Sequence, residues 1–294
     1  MQIIIQLFIS GISAGCIYGI ISLAFTMIYN STKIVNFSQG SLVMAGAMLG
    51  HLFLYRMKLP ALAAVVLDMA ILCVIGLVMK FTIYDFLRRK NAKDYHLVIT
   101  ILGYGIVIDQ LFALLIGKQQ YSVPALIGDG SSIYLKALGI NMYPENLILI
   151  AVTVALIIIF WIFLNKTQLG LCIQAIGFNA DAARLSGLRT SMLISITFCL
   201  SCSISALGGL LIAPIMGATS SMGASLGVKG FAATILGGMG NPFAGFVGGL
   251  MIGLIETFAS YYISSTYSSV IAYLVLLLML IIKPSGLWPE KGDR

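Results

Sequence analysis

Long apolar runs separated by short polar breaks set the plan of this chain. Residues 3 to 28 hold no charge and are long enough to cross about 30 Å of hydrocarbon as a helix. Within that run Gly11, Gly15 and Gly19 recur every fourth residue, which lays a flat stripe on one helix face. A polar, irregular stretch follows at 29–38. Further spans are predicted at about 39–55, 60–80, 95–117 and 145–165. Pro60 opens the third span at a helix start, and a longer loop, 118–144, carries Pro124, Gly128, Gly130 and Pro144. No charge then occurs between Arg189 and Lys229, a distance too great for one crossing. Pro214 and the glycines from Gly217 to Gly227 are expected to divide it, leaving a span at 191–213 and a short glycine-broken segment at 226–240. The last spans are about 241–262, where Gly245, Gly249 and Gly253 repeat the small-residue stripe, and 267–283.

Composition narrows the class. The chain is 60% hydrophobic and only 9% charged, with mean hydropathy +1.03. Soluble domains carry about 25% charged residues. The expected fold is therefore all-α: a polytopic membrane bundle of about eight to nine spans, forming one transmembrane domain over 1–294, with broken or short helices near 29–41 and 226–242. The net charge of +7 sits in loops, which speaks for membrane sidedness and against nucleic acid. Loops 80–93 and 166–189 and the tail hold eleven of the seventeen basic residues, whereas Arg56, Lys58, Lys118 and Lys136 fall on the other side. The basic side is expected to face the cytoplasm. Parity then places the N-terminus outside and requires the short 226–240 segment to cross with its neighbours.

The polar stretch Lys166–Ser191 stands out between two spans. Asn179 is a good N-cap, Asp181 and Arg184 suit the two ends of a helix dipole, and Gly187 fits the left-handed closing position. About two turns result, too short to span, presenting Ala182, Ala183, Arg184 and Leu185 at the membrane face. Two readings fit: an ordinary interfacial loop helix, or an element that docks in a partner's groove.

Backbone breaks at membrane depth are tolerated where protein or a water-filled path satisfies them. The breaks at 30–41 and 237–242 offer Asn36, Phe37, Ser38, Gln39 and Ser41, and Gly238, Gly240 and Asn241, as candidate solute-path residues. Tight packing at kinked helices is the competing reading. Asn36 to Gly40 and Asn241 to Gly245 share one spacing, a faint internal echo. Asp68, Asp109 and Glu256 are the acids inside spans; each lines a path, bonds a neighbouring helix or sits nearer the interface, a placement that suits Asp109 in particular, near the outer surface. Cys199 and Cys202 form a CxxC without a second pair, and the five cysteines read as packing residues. No metal-binding, nucleophile-elbow or phosphate-loop motif occurs, so an intramembrane enzyme is disfavoured and any ATP hydrolysis belongs to a separate subunit.

Several stretches carry a family resemblance. AIGFNADAARLSGL resembles the cytoplasmic coupling loop of ABC-importer permeases, whose pattern is matched by Gly177, Asn179, Ala182, Ala183 and Gly187. The run from Ala24 to Gly40 resembles the Asn-Phe-small-polar-Gly signature of the high-affinity branched-chain amino acid permease, the LivH type. GGMGNPFAGFVGG at 237–249 and Lys-Pro-Ser-Gly-Leu at 283–287 are similar to its C-terminal part. The resemblance runs from about residue 5 to 289. It implies a type II-like ABC importer permease in the bacterial cytoplasmic (inner) membrane. Its coupling residues would be Gly177, Asn179, Asp181, Ala182, Ala183, Arg184 and Gly187. The implied partners are a second permease, so a heterodimer meeting through glycine-rich span faces, two cytoplasmic ATPases holding ATP and Mg, and an extracytoplasmic binding protein. This chain itself would bind no cofactor. The available path residues are apolar, small or neutral-polar. Without a buried arginine cluster they disfavour phosphates, and few aromatics disfavour large sugars. They suit a small neutral amino acid such as leucine, isoleucine or valine. Gln39 stands where the family is expected to have His, which leaves urea or another short amide as an alternative solute; a stand-alone channel is the alternative mechanism.

Overall fold

The computed structural model describes residues 2–124, 133–135, 140–142, 144–283 and 286–288, and turns nearly every apolar run into helix. The first helix, α1 (Gln2–Thr32), continues through polar residues where the sequence pattern predicts a break. Ser31 and Thr32 donate their hydroxyls to the Ile28 carbonyl, at 3.1 and 2.7 Å, so both side chains fold back onto their own last turn. The stop comes at Lys33, whose φ of +57° is left-handed. After a short non-helical passage α2 (Gln39–Gly50) begins with every residue buried, and it ends in a π-helical turn, His51–Arg56.

The chain returns through α3 (Ala61–Met79), a second π segment (Lys80–Asp85) and α4 (Phe86–Arg89). The basic stretch expected as a loop is thus helix as far as Arg89. Next come α5 (Asp94–Leu115), two short antiparallel strands, β1 (Ile133–Leu135) and β2 (Ile140–Met142), and α6 (Pro144–Lys166). Of the expected loop, Gly128, Gly130 and Lys136 lie outside the described residues. The interruption after α6 holds two helices instead of one, α7 (Gln168–Phe178) and α8 (Ala180–Leu185). The signal for α7 is Thr167, whose hydroxyl accepts from Gly170 N at 3.1 Å.

Helix α9 (Thr190–Met216) runs past Pro214, where the sequence predicts its end. A proline this near the C-terminus removes one N–H that would have reached back to Leu210 and leaves the preceding turns intact. The helix stops at Gly217, with φ +77°. Then follow α10 (Met222–Gly237), α11 (Pro242–Tyr262) and α12 (Ser268–Ile282). Among the described residues six helical stretches are long and apolar enough to cross a membrane; α10 and α12 are shorter apolar helices.

Contacts sort these elements into two ends. At one, Asn30 Nδ2 donates to Gly240 O (2.8 Å), Lys80 Nζ to Ser191 Oγ (2.8 Å) and Leu287 N to Leu236 O (3.0 Å). This is the basic end, where α1, α3, α6, α10 and α12 finish. At the far end Tyr121 exchanges two backbone bonds with Ala218, and His51 Nδ1 lies 3.1 Å from Ser122 O. Helices α2, α5, α9 and α11 run towards it. Among the described residues direction alternates through nine apolar elements, α10 included, as the expected eight to nine spans require.

Helices α1 and α11 share a long seam. The two glycine stripes face each other: a Cβ on Gly15 would lie 2.6 Å from Leu250 Cα, and one on Gly249 would lie 2.7 Å from Gly19 Cα. Backbones therefore touch directly, which is how small residues let helices pack where lipid removes the hydrophobic drive between them. This corrects the expectation that the glycine-rich faces meet a second permease; they are used up inside this chain.

Candidate functional site

The coupling-type loop is built from its caps. Asn179 Oδ1 accepts from the backbone N–H groups of Asp181 (3.1 Å) and Ala182 (3.0 Å), closing the N-terminus of α8. At the other end Gly187 N donates to Arg184 O and Leu188 N to Ala183 O, both at 3.1 Å, and Gly187 has φ +83°. That pair of bonds is a Schellman closure, and the left-handed residue it needs is the reason for glycine here. Gly177 abuts the carbonyl of Asn30, so α7 lies hard against the end of α1 with no room for a side chain. Asp181, Ala182, Arg184 and Leu185 are exposed, Leu185 by 90%, and the neighbouring Phe178 by 71%. Ala183, expected on the presented face, is buried beside Ile173, Ile176 and Leu193. Helix periodicity explains this: the face opposite Leu185 must sit on something, and Ala183 is what fits. Phe178 carries no signal in the sequence pattern, because it ends α7, a helix that the pattern does not separate from α8.

Beneath the loop lies Lys80, 1% exposed, paired with Asp85 at 2.7 Å and bonded to Ser191 at the start of α9. By sequence it is one more loop cation. Its place on a π segment, where each turn carries an extra residue, is not readable from spacing.

The two backbone breaks meet at the basic end. Asn36 Oδ1 accepts from Ser38 N (3.1 Å) and Ser38 Oγ (2.6 Å), and Asn36 Nδ2 donates to Gln39 Oε1 (2.9 Å). Gln39 Nε2 in turn reaches the hydroxyls of Ser201 and Ser205 on α9, and Ser201 Oγ donates to Ala24 O (2.7 Å). Asn36, Ser38 and Gln39 are all buried, so this network fastens the start of α2 between α1 and α9. Ser41 is also buried, in the first turn of α2. Phe37 alone of this group is exposed, with its ring 5.1 Å from that of Phe231 on α10. On the other break Asn241 Oδ1 caps α11, accepting from Phe243 N (3.1 Å) and Ala244 N (3.2 Å). Gly238 and Gly240 carry φ of +129° and +99°. Val35 from the first break and Met239 from the second line one small void with Phe25, Tyr29, Phe231 and Thr234.

A larger cavity of about 350 Å³ opens towards the far end, between α1, the α9–α10 turn and the loop after α5. That volume is at the small end of ligand sites, which run from about 300 to 1,000 Å³. Its polar lining includes Gln120, Thr219, Ser221 and Ser225; Met216, Met222 and Leu226 supply the apolar part. Among the described residues that line it, Lys229 is the one that is charged. Behind Lys229 stands Glu256, which pairs with it and accepts from Tyr18 Oη (2.6 Å) and Ser269 Oγ (3.1 Å). Tyr18, Lys229, Glu256 and Ser269 come from four helices spread from the first to the last, so no local pattern could have joined them. Glu256 thus bonds neighbouring helices, one of the two roles open to it. Asp68 is wholly buried on α3 with neither carboxylate oxygen bonded among the described residues, and the structure gives it no role.

Along the α1–α10 seam this cavity gives way to packed side chains. Ile21 lies against Gly230, then Phe25 and Phe37 lie against Phe231, with ring centroids 5.9 and 5.1 Å away. Phe25 and Phe231 also wall the basic-end void.

Comparison with known proteins shows the family of this chain. The family described as the permease component of the branched-chain amino acid transport system matches residues 7–280. The permease protein LivH of the high-affinity branched-chain amino acid transport system of Salmonella typhimurium is 26% identical, over 96% of this chain and 94% of its own. BraD of Pseudomonas aeruginosa, a permease protein of the same description, is 24% identical over 96% of this chain and 95% of its own. Among solved structures, PsaBC from Streptococcus pneumoniae in complex with Fab matches with a TM-score of 0.49 and 13% identity, over 94% of this chain and 91% of that one. The helical bundle, the apolar spans and a match over nearly the whole chain identify a multi-pass protein of the cytoplasmic membrane that belongs to the branched-chain amino acid permease family of ABC transporters.

Proposed function

We propose that this chain is the membrane subunit of an ATP-driven importer for small neutral amino acids with aliphatic side chains: leucine, isoleucine and valine. An extracytoplasmic binding protein delivers the solute to the far end. Two separate ATPase subunits, holding ATP and Mg, act at the basic end, and a second permease completes the membrane part. The observation that carries this reading is the doubly capped helix α8 with Phe178 and Leu185 held out into solvent. A loop without a partner has no use for two exposed apolar side chains, Phe178 ending α7 and Leu185 on the capped α8, whereas a groove on a soluble subunit does. A stand-alone channel leaves that feature unexplained. Gln39 no longer favours an amide solute, because its side chain is spent on Ser201 and Ser205. The solute's route would run from the far-end cavity along the α1–α10 seam. It would leave between the breaks, past Phe37, Gly238, Gly240 and Asn241, with Asn36, Ser38, Gln39 and Ser41 anchoring one wall.

Uptake by cells carrying the full assembly tests the proposal. Labelled leucine or isoleucine should accumulate and labelled urea should not. Accumulation that persists when the ATPase subunits are removed overturns the importer reading. Sidedness has its own check. A single cysteine at Lys90 should resist an impermeant thiol reagent in intact cells, since the basic end is assigned to the cytoplasm; rapid labelling there would invert the topology.

A further inference from the structure

We infer that Lys229 binds the carboxylate of the transported solute inside the far-end cavity, with Glu256 and Tyr18 as its positioning residues. This rests on the amino acid importer reading. The ammonium of Lys229 has three donors. One goes to Glu256 Oε1 and a second to Tyr18 Oη at 3.3 Å. Among the described residues the third has no acceptor, and the side chain lines the cavity. Glu256 does not line that cavity, and its two oxygens already accept from Tyr18, Lys229 and Ser269. The arrangement holds a cation at the cavity wall with its counter-charge on the other side. Ion-paired residues at membrane depth are costly, and a purely structural tie between α10 and α11 is made more cheaply by glycine contacts such as those of the α1–α11 seam.

The rest of the lining suits the other parts of an aliphatic amino acid. Ser225 Oγ donates to Met222 O at 3.1 Å and so keeps its lone pairs to accept from an ammonium group. Met222 and Leu226 offer apolar surface beside it. Because the Lys229–Glu256 pair is net neutral, the site favours a zwitterion over an anion. It also favours a zwitterion over urea, whose neutral carbonyl accepts a weaker bond from the ammonium than a carboxylate does.

The test must separate a solute-binding lysine from a structural one. Lys229→Met alone strands a buried carboxylate and can unfold the protein, so the informative variant is Lys229→Met with Glu256→Gln. In proteoliposomes holding the full assembly and saturating leucine-loaded binding protein, this double variant should insert normally. Its leucine uptake should fall about tenfold or more, the range expected for a lost charge-assisted bond. ATP hydrolysis stimulated by the loaded binding protein should persist, and Lys229→Arg should keep more uptake than the double variant. Wild-type uptake in the double variant, or loss of uptake and ATPase together, would overturn the inference. Failure of the wild-type assembly to import any amino acid is a separate result, and defeats the importer reading itself.

Discussion

Replacing Gly253 with leucine should remove folded protein from the membrane. The position faces Gly15, and a side chain there runs into the backbone of Gly15 and the carbonyl of Gly11. No rotamer can relieve a clash with main chain, so α1 and α11 must part along their length. Overpacking of well-packed cores costs about 1–3 kcal/mol and occasionally more. This seam is made of backbone on both sides, so the upper end or beyond is expected, a large share of a total stability near 5–15 kcal/mol. Gly103→Leu is the matched control, since nothing lies within 4 Å of a Cβ at Gly103. Detergent-solubilised Gly103→Leu should elute as one monodisperse peak, and Gly253→Leu should aggregate or be degraded. Equal recovery of both would mean the seam is looser than its geometry implies.

The second large effect concerns the loop helix. Leu185→Asp, or Arg184→Glu, should uncouple ATP hydrolysis from solute while leaving the protein folded. Leu185 is 90% exposed, so nothing in this chain depends on it. Burying such a side chain in a partner's groove contributes about 1.5–3 kcal/mol, which corresponds to roughly a tenfold to hundredfold loss in docking affinity. Ala182→Trp should act alike by bulk, because Ala182 is also exposed. Ala183→Trp should instead destabilise the loop, since Ala183 sits inward against Ile173 and Leu193. The measurement is solute-stimulated ATPase activity in proteoliposomes with normal amounts of inserted protein. Unchanged stimulation in Leu185→Asp would reduce α8 to a connector.

Much of the fold is legible in the sequence, for a physical reason. In lipid an apolar run of about twenty residues has few alternatives to a helix, so span positions follow from composition. Caps are legible too: Asn179 and Gly187 act as their chemistry dictates. The misses lie where polar side chains bond to their own helix, as Ser31 and Thr32 do, or where a proline falls in a last turn, as Pro214 does. Partnership is less legible. Both glycine stripes are visible, but a stripe does not announce whether its complement lies in the same chain. The cavity is hidden for a related reason. Lys229 falls in a glycine-broken stretch with no flanking charge. Only the crossing of α1, α10, α11 and α12 sets it beside Tyr18, Glu256 and Ser269.

Lys80 has one mechanical consequence. By holding Ser191 it clamps the root of α9 to α3 immediately after the loop that carries α8. Helix α9 has 27 residues, so at 1.5 Å per residue it is a rod of about 40 Å. Its other tip, Met216, lies in the wall of the far-end cavity. Under the proposed coupling, a push delivered at the root would arrive at the tip as a tilt, as an oar moves at the blade when the handle is drawn. Pro214 sets a compliant joint just short of that tip, where the Leu210 carbonyl lacks its usual helical donor. Substituting alanine there should stiffen the rod and make the cavity wall follow the loop more closely.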